Sequence, residues 1–389
     1  MSTASLNINR LNHLLKLFNI SEDELLHKLN LNRKKSLTFE DIFTEDIKIG
    51  VLKKIDLVFK KGLSYYVDPK NLSESKEESI FFRKDSFNAK LNLGARQIVN
   101  KFEEEKISFS TLAKLSDFKL KRDINVYKLT DNPKIVALEV RKILYPEFTK
   151  DRRTFLKNFI AKLADKNILV FEFVETHNKI EKANINGFYL SPNVIVLKRN
   201  QKSFKREIFT LAHELGHYLL NEEEIDENVS SETPTSVLSK IEKWCNDFAY
   251  YFLAGNYSKN IDLYTNVNAI NDYYHDEINS ISEFTHLSTL AIYTRLLLNN
   301  QITPFNYKTV SDNIIESIQN WEQQEKIRIE REKQKAIDEG RKPGGQTPIP
   351  IISPLYLQTL RSALATGLIN EADFCKRLSI KPDKMNRYL

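Results

Sequence analysis

The run "FTLAHELGHYLL" at positions 209–220 carries His213, Glu214 and His217 inside otherwise apolar sequence. Residues four apart on an α-helix stand one above the other on the same face, so the two imidazoles can reach a single ion. Glu214, beside the first histidine, is placed to hold a water molecule next to that ion. The chemistry these residue types suit is metal-assisted hydrolysis, with two nitrogen ligands, a carboxylate base and a coordination position left open for water. Two histidines and a glutamate also fall together by chance on amphipathic helices, so a third ligand has to be found before the pattern reads as a site.

A histidine at 223 with a glycine at 220 would mark the metzincin class of zinc peptidases, but this chain has Leu220 and Glu223, which excludes it. Downstream lies "SKIEKWCNDFAYYFL", a helical segment with Ile241, Trp244, Phe248 and Tyr251 on its apolar side. Glu242 follows His217 by 25 residues (242 minus 217), room for a helix end, a loop and a second helix that packs back. That makes Glu242 the expected third ligand. Asn246, one turn further on, is placed to hydrogen-bond a ligand histidine and orient its ring. The rival acids Glu222, Glu223, Glu224, Asp226 and Glu227 follow the first helix directly, too near His217 to return easily to its metal face, and read as a solvated loop. Cys245 reads as a packed thiol. His13, His27, His177, His275 and His286 show no ligand spacing and read as surface or local structural residues.

Positioning these groups requires an α+β domain, expected over 129–260. Helical patterns at "KIVALEVRKIL" and "RTFLKNFIAKLADKN" precede two β-rich runs, "ILVFEFVE" and "GFYLSPNVIVLKR", which read as paired strands before the histidine helix. Residues 1–70 read as a compact packing of four short helices. In it, Leu11, Leu14, Leu15 and Phe18 form one apolar face, Ser21 with Glu24 opens the second helix, and a fourth with Leu52, Ile55, Val58 and Phe59 inward stops at Gly62. Residues 71–128 read as a polar linker, "NLSESKEESIFFRKDSFNAK", followed by a helical connector. The 261–340 stretch reads as helical: Ser288 caps one helix, and a charge-dense one over 311–339 has Ile314, Ile318 and Trp321 as its apolar positions and a second half projecting into solvent. A Gly/Pro linker and a short helical tail close the chain over 341–389. The expected class is therefore α+β and mainly helical, a zincin-like domain with a small sheet flanked by helical domains.

With 58 Lys and Arg against 52 Asp and Glu, the net charge of +6 over 389 residues permits a basic patch without requiring one. Two cysteines exclude a disulfide framework, and the first residues lack the pattern of a signal peptide, so a reducing, cytoplasmic setting is expected. The most apolar run, "ILVFEFV", is too short to span a bilayer as a helix.

The ordered set Gly187–Phe188, His213, Glu214, His217, Glu242, Cys245–Asn246 and Phe248–Ala249 resembles the ImmA/IrrE family of zinc metallopeptidases. Residues 1–70 are similar to the XRE-type helix-turn-helix that often precedes that domain, with the departure that "LTFEDIFTED" sets Glu40, Asp41, Glu45 and Asp46 where a helix would face phosphate. Arg33, Lys34 and Lys35 are the nearby bases. That departure favours a degenerate helix-turn-helix used for protein contacts over one that binds DNA. The resemblance implies one zinc ion per chain and endopeptidase activity on a protein substrate, commonly a DNA-binding repressor whose cleavage switches on stress or mobile-element genes. The alternative from another class is a regulator or toxin–antitoxin component, binding DNA or a partner, in which zinc only holds the fold. A helical interaction protein without metal is the third reading.

Overall fold

The computed structural model describes residues 2–31, 33–70, 79–80, 91–175, 181–199, 203–225, 239–341 and 348–389. The chain is α+β and mainly helical, and it divides into two compact units, Met1–Glu105 with Glu181–Asn184, and Lys106–Ile180 with Ile185–Leu389.

In the first unit, strand β1 (Thr3–Ser5) pairs antiparallel with β2 (Asp46–Lys48), around helices α1 (Ile8–Phe18), α2 (Glu22–Asn30), α3 (Phe39–Ile42), α4 (Ile49–Phe59) and α5 (Leu63–Val67). Leu11, Leu14, Phe18, Leu25, Ile42, Leu52, Ile55 and Phe59 meet in one core, the apolar spacing of each helix having fixed its inward face. Ser21 caps α2 by accepting from the Glu24 amide. α4 ends earlier than the glycine signal suggested. Lys60 takes the left-handed conformation at its end, and Gly62, at φ +84°, instead opens α5. The segment between α2 and α4 forms only a four-residue helix, α3, capped by a reciprocal Thr38–Asp41 pair. Most of the expected linker over 71–90 lies outside the described residues. After it comes α6 (Leu93–Leu115), inside which the division between the units falls.

The second unit carries α7 (Pro133–Leu144) and α8 (Arg152–Ala164), then β3 (Leu169–Phe173), β4 (Gly187–Leu190) and β5 (Val194–Lys198). The run "GFYLSPNVIVLKR" makes two strands instead of one, because Pro192 has no amide to donate and the chain turns there into a hairpin. β5 lies in the middle, antiparallel to β4 and parallel to β3. Being covered on both faces, β5 is buried from Val194 to Leu197, which is why it reads as continuous apolar sequence. α9 (Phe204–Leu220) packs against β4 and β5, and α10 (Lys240–Ala254) packs on α9 and α7. Their apolar sides join Phe155, Phe159, Val170, Ile195 and Leu197 in one core.

α11 (Tyr257–Asp262), α12 (His275–Thr285) and α13 (Thr289–Leu298) follow, the last capped by Ser288 as its sequence indicates. α14 runs from Pro304 to Asp338, starting before the expected 311 because Thr303 caps it and Pro304 suits a first helical position. Ile314 packs on the core, whereas Ile318 and Trp321 are 45% and 62% exposed. α15 (Pro354–Ala365) and α16 (Glu371–Leu378) close the chain, with Tyr356 edge-on to Phe171 and the Ile351 amide donating to Glu172.

Candidate metal centre

α9 is fixed at both ends by its own sequence. Ser203 accepts from the Arg206 amide at its start, and Asn221 at its end takes the left-handed conformation, its amide bonding to the carbonyls of His217 and Tyr218. A buried charge cluster pins its first turn. Glu207 accepts from Arg199 Nε at 2.8 Å, and Arg199 Nη1 reaches both oxygens of Glu172 on β3, at 3.0 and 3.2 Å.

α10 is capped by Ser239, which accepts from the Glu242 amide at 3.1 Å and so places Glu242 in the first turn. α9 and α10 approach closely at Gly216, where an added Cβ would lie 3.1 Å from Cα, Cβ and Sγ of Cys245. A methyl group there would need its neighbour to give by a few tenths of an ångström, and the close approach brings the three expected ligands together.

His213 Nε2 lies 3.1 Å from Glu242 Oε2, His217 Nε2 lies 2.9 Å from Glu242 Oε1, and the two Nε2 atoms are 3.2 Å apart. His213, His217 and Glu242 are all buried, and their ligand atoms lie close enough together to hold one metal ion. Atoms bound to one tetrahedral zinc at about 2.0–2.1 Å lie roughly 3.3 Å from one another, so the donors already hold nearly the separations such an ion requires. Asn246 Oδ1 sits 3.0 Å from His213 Nδ1. A carbonyl oxygen only accepts, so Nδ1 carries a proton and Nε2 is the ring nitrogen turned to the centre.

The electrostatics make one demand. Burial would lower both histidines, yet the Glu242 carboxylate raises His213, and Cys245 with Glu242 raises His217 well above its ordinary value. Burial would raise Glu242, but the two histidines hold its carboxyl far below the usual range. The pocket calls for positive charge at its centre, which protons on the rings supply and which a divalent cation supplies with both lone pairs free to bond. The donor set therefore fits zinc.

Glu214 points into the same space, with Oε2 buried and without a hydrogen-bond partner. Burial pushes its carboxyl up to about 7, against the pull of His217 and His213. Gly187 at the start of β4 leaves it room, since a Cβ there would lie 2.8 Å from Thr210 Cγ2 and 3.1 Å from Glu214 Oε1. The crevice over the centre has a volume of ≈ 20 Å³, enough for about one water molecule. Asn186, Gly187, Phe209, Thr210 and Glu224 line it along with the group itself.

Glu224 corrects one expectation. Asn221 turns the chain sharply at the end of α9, and Glu224 thereby comes back to the crevice wall, though not into the ligand group. Its signal in sequence was an asparagine at a helix terminus three residues earlier. Of the other rivals, Glu223 accepts from the Ser191 amide, and Asp226 and Glu227 lie outside the described residues. Cys245 is buried, held up at about 11 by burial, and lies beside His217 without joining the ligand group. His286 bonds the Thr149 carbonyl between Phe148 and Phe155, and His275 bonds the Tyr293 hydroxyl, both local structural roles. His177 lies outside the described residues.

Fold and centre together define a mainly helical α+β protein with a buried His–His–Glu group and, beside it, the unpartnered Oε2 of Glu214. Residues 165–256 match the model of the peptidase M78 family, described as the IrrE N-terminal-like domain. The match covers β3 through α10 and every residue of the group, and it supports a metallopeptidase-like function. No curated protein and no solved structure matches the chain.

Proposed function

We propose that the chain is a zinc-dependent endopeptidase acting on a protein substrate. The observation that carries the reading is the convergence of His213, His217 and Glu242 with Glu214, whose Oε2 has no hydrogen-bond partner, over a crevice of about one water. His213, His217 and Glu242 would hold the ion, with Asn246 fixing the His213 ring. When bound, zinc supplies a Lewis acid that makes water acidic and polarises a peptide carbonyl. Glu214 takes the proton of the attacking water on its unpartnered oxygen and passes it to the leaving amide nitrogen. Burial suits Glu214 to this, because a carboxyl titrating near neutrality both accepts and returns a proton at modest cost.

Three protein ligands leave the fourth position for water, whereas a purely structural zinc is held by four. For the substrate, the support is the family resemblance alone: a DNA-binding repressor, cleaved in the cytoplasm during a stress or mobile-element response. The acidic residues Glu40, Asp41, Glu45 and Asp46 in the segment around α3 favour protein contact over DNA contact for the first unit.

The test compares two variants for zinc content and for cleavage of a co-expressed candidate repressor. Glu214→Gln keeps the metal and lowers turnover by at least two orders of magnitude, while His213→Ala loses both metal and turnover. Wild-type protein that holds no zinc after supplementation would sink the proposal, and full activity in Glu214→Gln would remove the role given to Glu214.

A further inference from the structure

We propose that Glu224 sets the side-chain preference of this site, drawing a lysine or arginine of the substrate to the crevice beside the scissile bond. The inference rests on the peptidase reading and names a property of the substrate that the reading leaves open.

Glu224 lines the crevice over His213, Glu214, His217 and Glu242. Among the described residues no lysine or arginine lines that crevice, and the Glu224 carboxylate is held by a neutral group, the Ser239 hydroxyl, at 3.2 Å from Oε2. The same Ser239 oxygen accepts from the Glu242 amide, so Glu224 is tied to the residue that positions a ligand. The bond to Ser239 fixes Glu224 at the crevice wall.

Glu224 adds a carboxylate to the crevice wall beyond the ligand group, with no basic side chain among the described lining residues to offset it. It is half-buried, where an ion pair is less screened than on open surface. The bland alternative is a solvated loop carboxylate, which would have no reason to be fixed at a crevice wall by a capping serine.

The probes are two series of small hydroxamates, compounds that seek an open zinc position. N-acetyl amino-acid hydroxamates place their side chain on one side of the metal, and hydroxamoyl-acetyl amino-acid amides place it on the other. Each series carries lysine, glutamine or glutamate, and binding to the zinc-loaded full chain is measured by calorimetry. We expect lysine to bind roughly tenfold more tightly than glutamine in at least one series, with glutamate weakest. That ratio falls towards one as salt is raised, and also in Glu224→Gln; Glu224→Lys reverses the order of lysine and glutamate. Equal binding of lysine and glutamine in both series, or a preference that survives Glu224→Gln, overturns the assignment while leaving the peptidase reading standing. If neither series binds although each chain holds its zinc, no open position exists and both readings fall. Salt dependence in the wild type keeps the test decisive should Glu224→Gln lose its metal.

Discussion

Gly216 is the residue on which the separation of the two ligand-bearing helices depends. The backbone Cα of Cys245 lies 3.1 Å from where its Cβ would stand, so a larger side chain must move α10, and with it Glu242 one turn earlier. Gly216→Val is expected to cost about 1–3 kcal/mol of stability by overpacking and to weaken zinc binding as well. Urea unfolding and a competitive zinc titration measure the two, and unchanged zinc affinity would show that helix spacing does not control the centre. At this scale much of the site was legible: two histidines and the acid between them declare their helix face by spacing alone. Glu214's raised acidity range was not legible, since it comes from burial that neighbours impose.

At the scale of elements, α9 is held in place by a cluster whose members sit on three elements or their ends. Glu172 is on β3, Arg199 just after β5, Glu207 in the first turn of α9, and the Ile351 amide ahead of α15 adds a donor. Burial raises the Glu172 carboxyl to about 7, and Arg199 only partly offsets it. A carboxyl whose folded value lies above its unfolded one binds its proton more tightly when folded. Its contribution is therefore full below pH 4.5 and lost as pH climbs towards 7. We expect Glu172 to take away up to roughly 3 kcal/mol of stability between pH 4.5 and 7, and Glu172→Gln to flatten that slope. Urea unfolding at a series of pH values tests this, and an unaltered slope in the variant would locate the dependence elsewhere. The strands of the second unit were readable from their β-branched runs, though not the break at Pro192, and the helices from their caps and apolar periods; β1 and β2 fall where only helices were expected and carry no such run. Strand order was not readable, because whether β3 pairs with β4 or β5 depends on which faces the helices cover.

At the scale of the whole molecule, the centre joins two helices distant in sequence across a core that also takes in α7, α8 and the sheet. Binding that occurs only in the folded state stabilises it by mass action, about 2.7 kcal/mol at a hundredfold excess over Kd. Zinc is therefore expected to raise the melting temperature of the chain by several degrees, and chelation to lower it. Calorimetry with and without metal checks this, and His217→Ala should abolish the difference; a shift that persists in that variant would place the bound zinc elsewhere. No helix among the described residues is long and apolar enough to cross a membrane.

The sequence by itself determined the local matters: which segments are helical, where Ser21 and Ser288 start two of them, and that His213 and His217 share a face. These depend on spacings of a few residues, which the chain carries wherever it folds. Tertiary structure decided the rest. It brought Glu242 to 2.9 Å from His217, allowed by the missing side chain at Gly216, and turned the chain at Asn221 so that Glu224 reached the crevice. Those outcomes are distances between groups set by packing, and packing is a property of all the buried surfaces at once, with no counterpart in any one stretch of sequence.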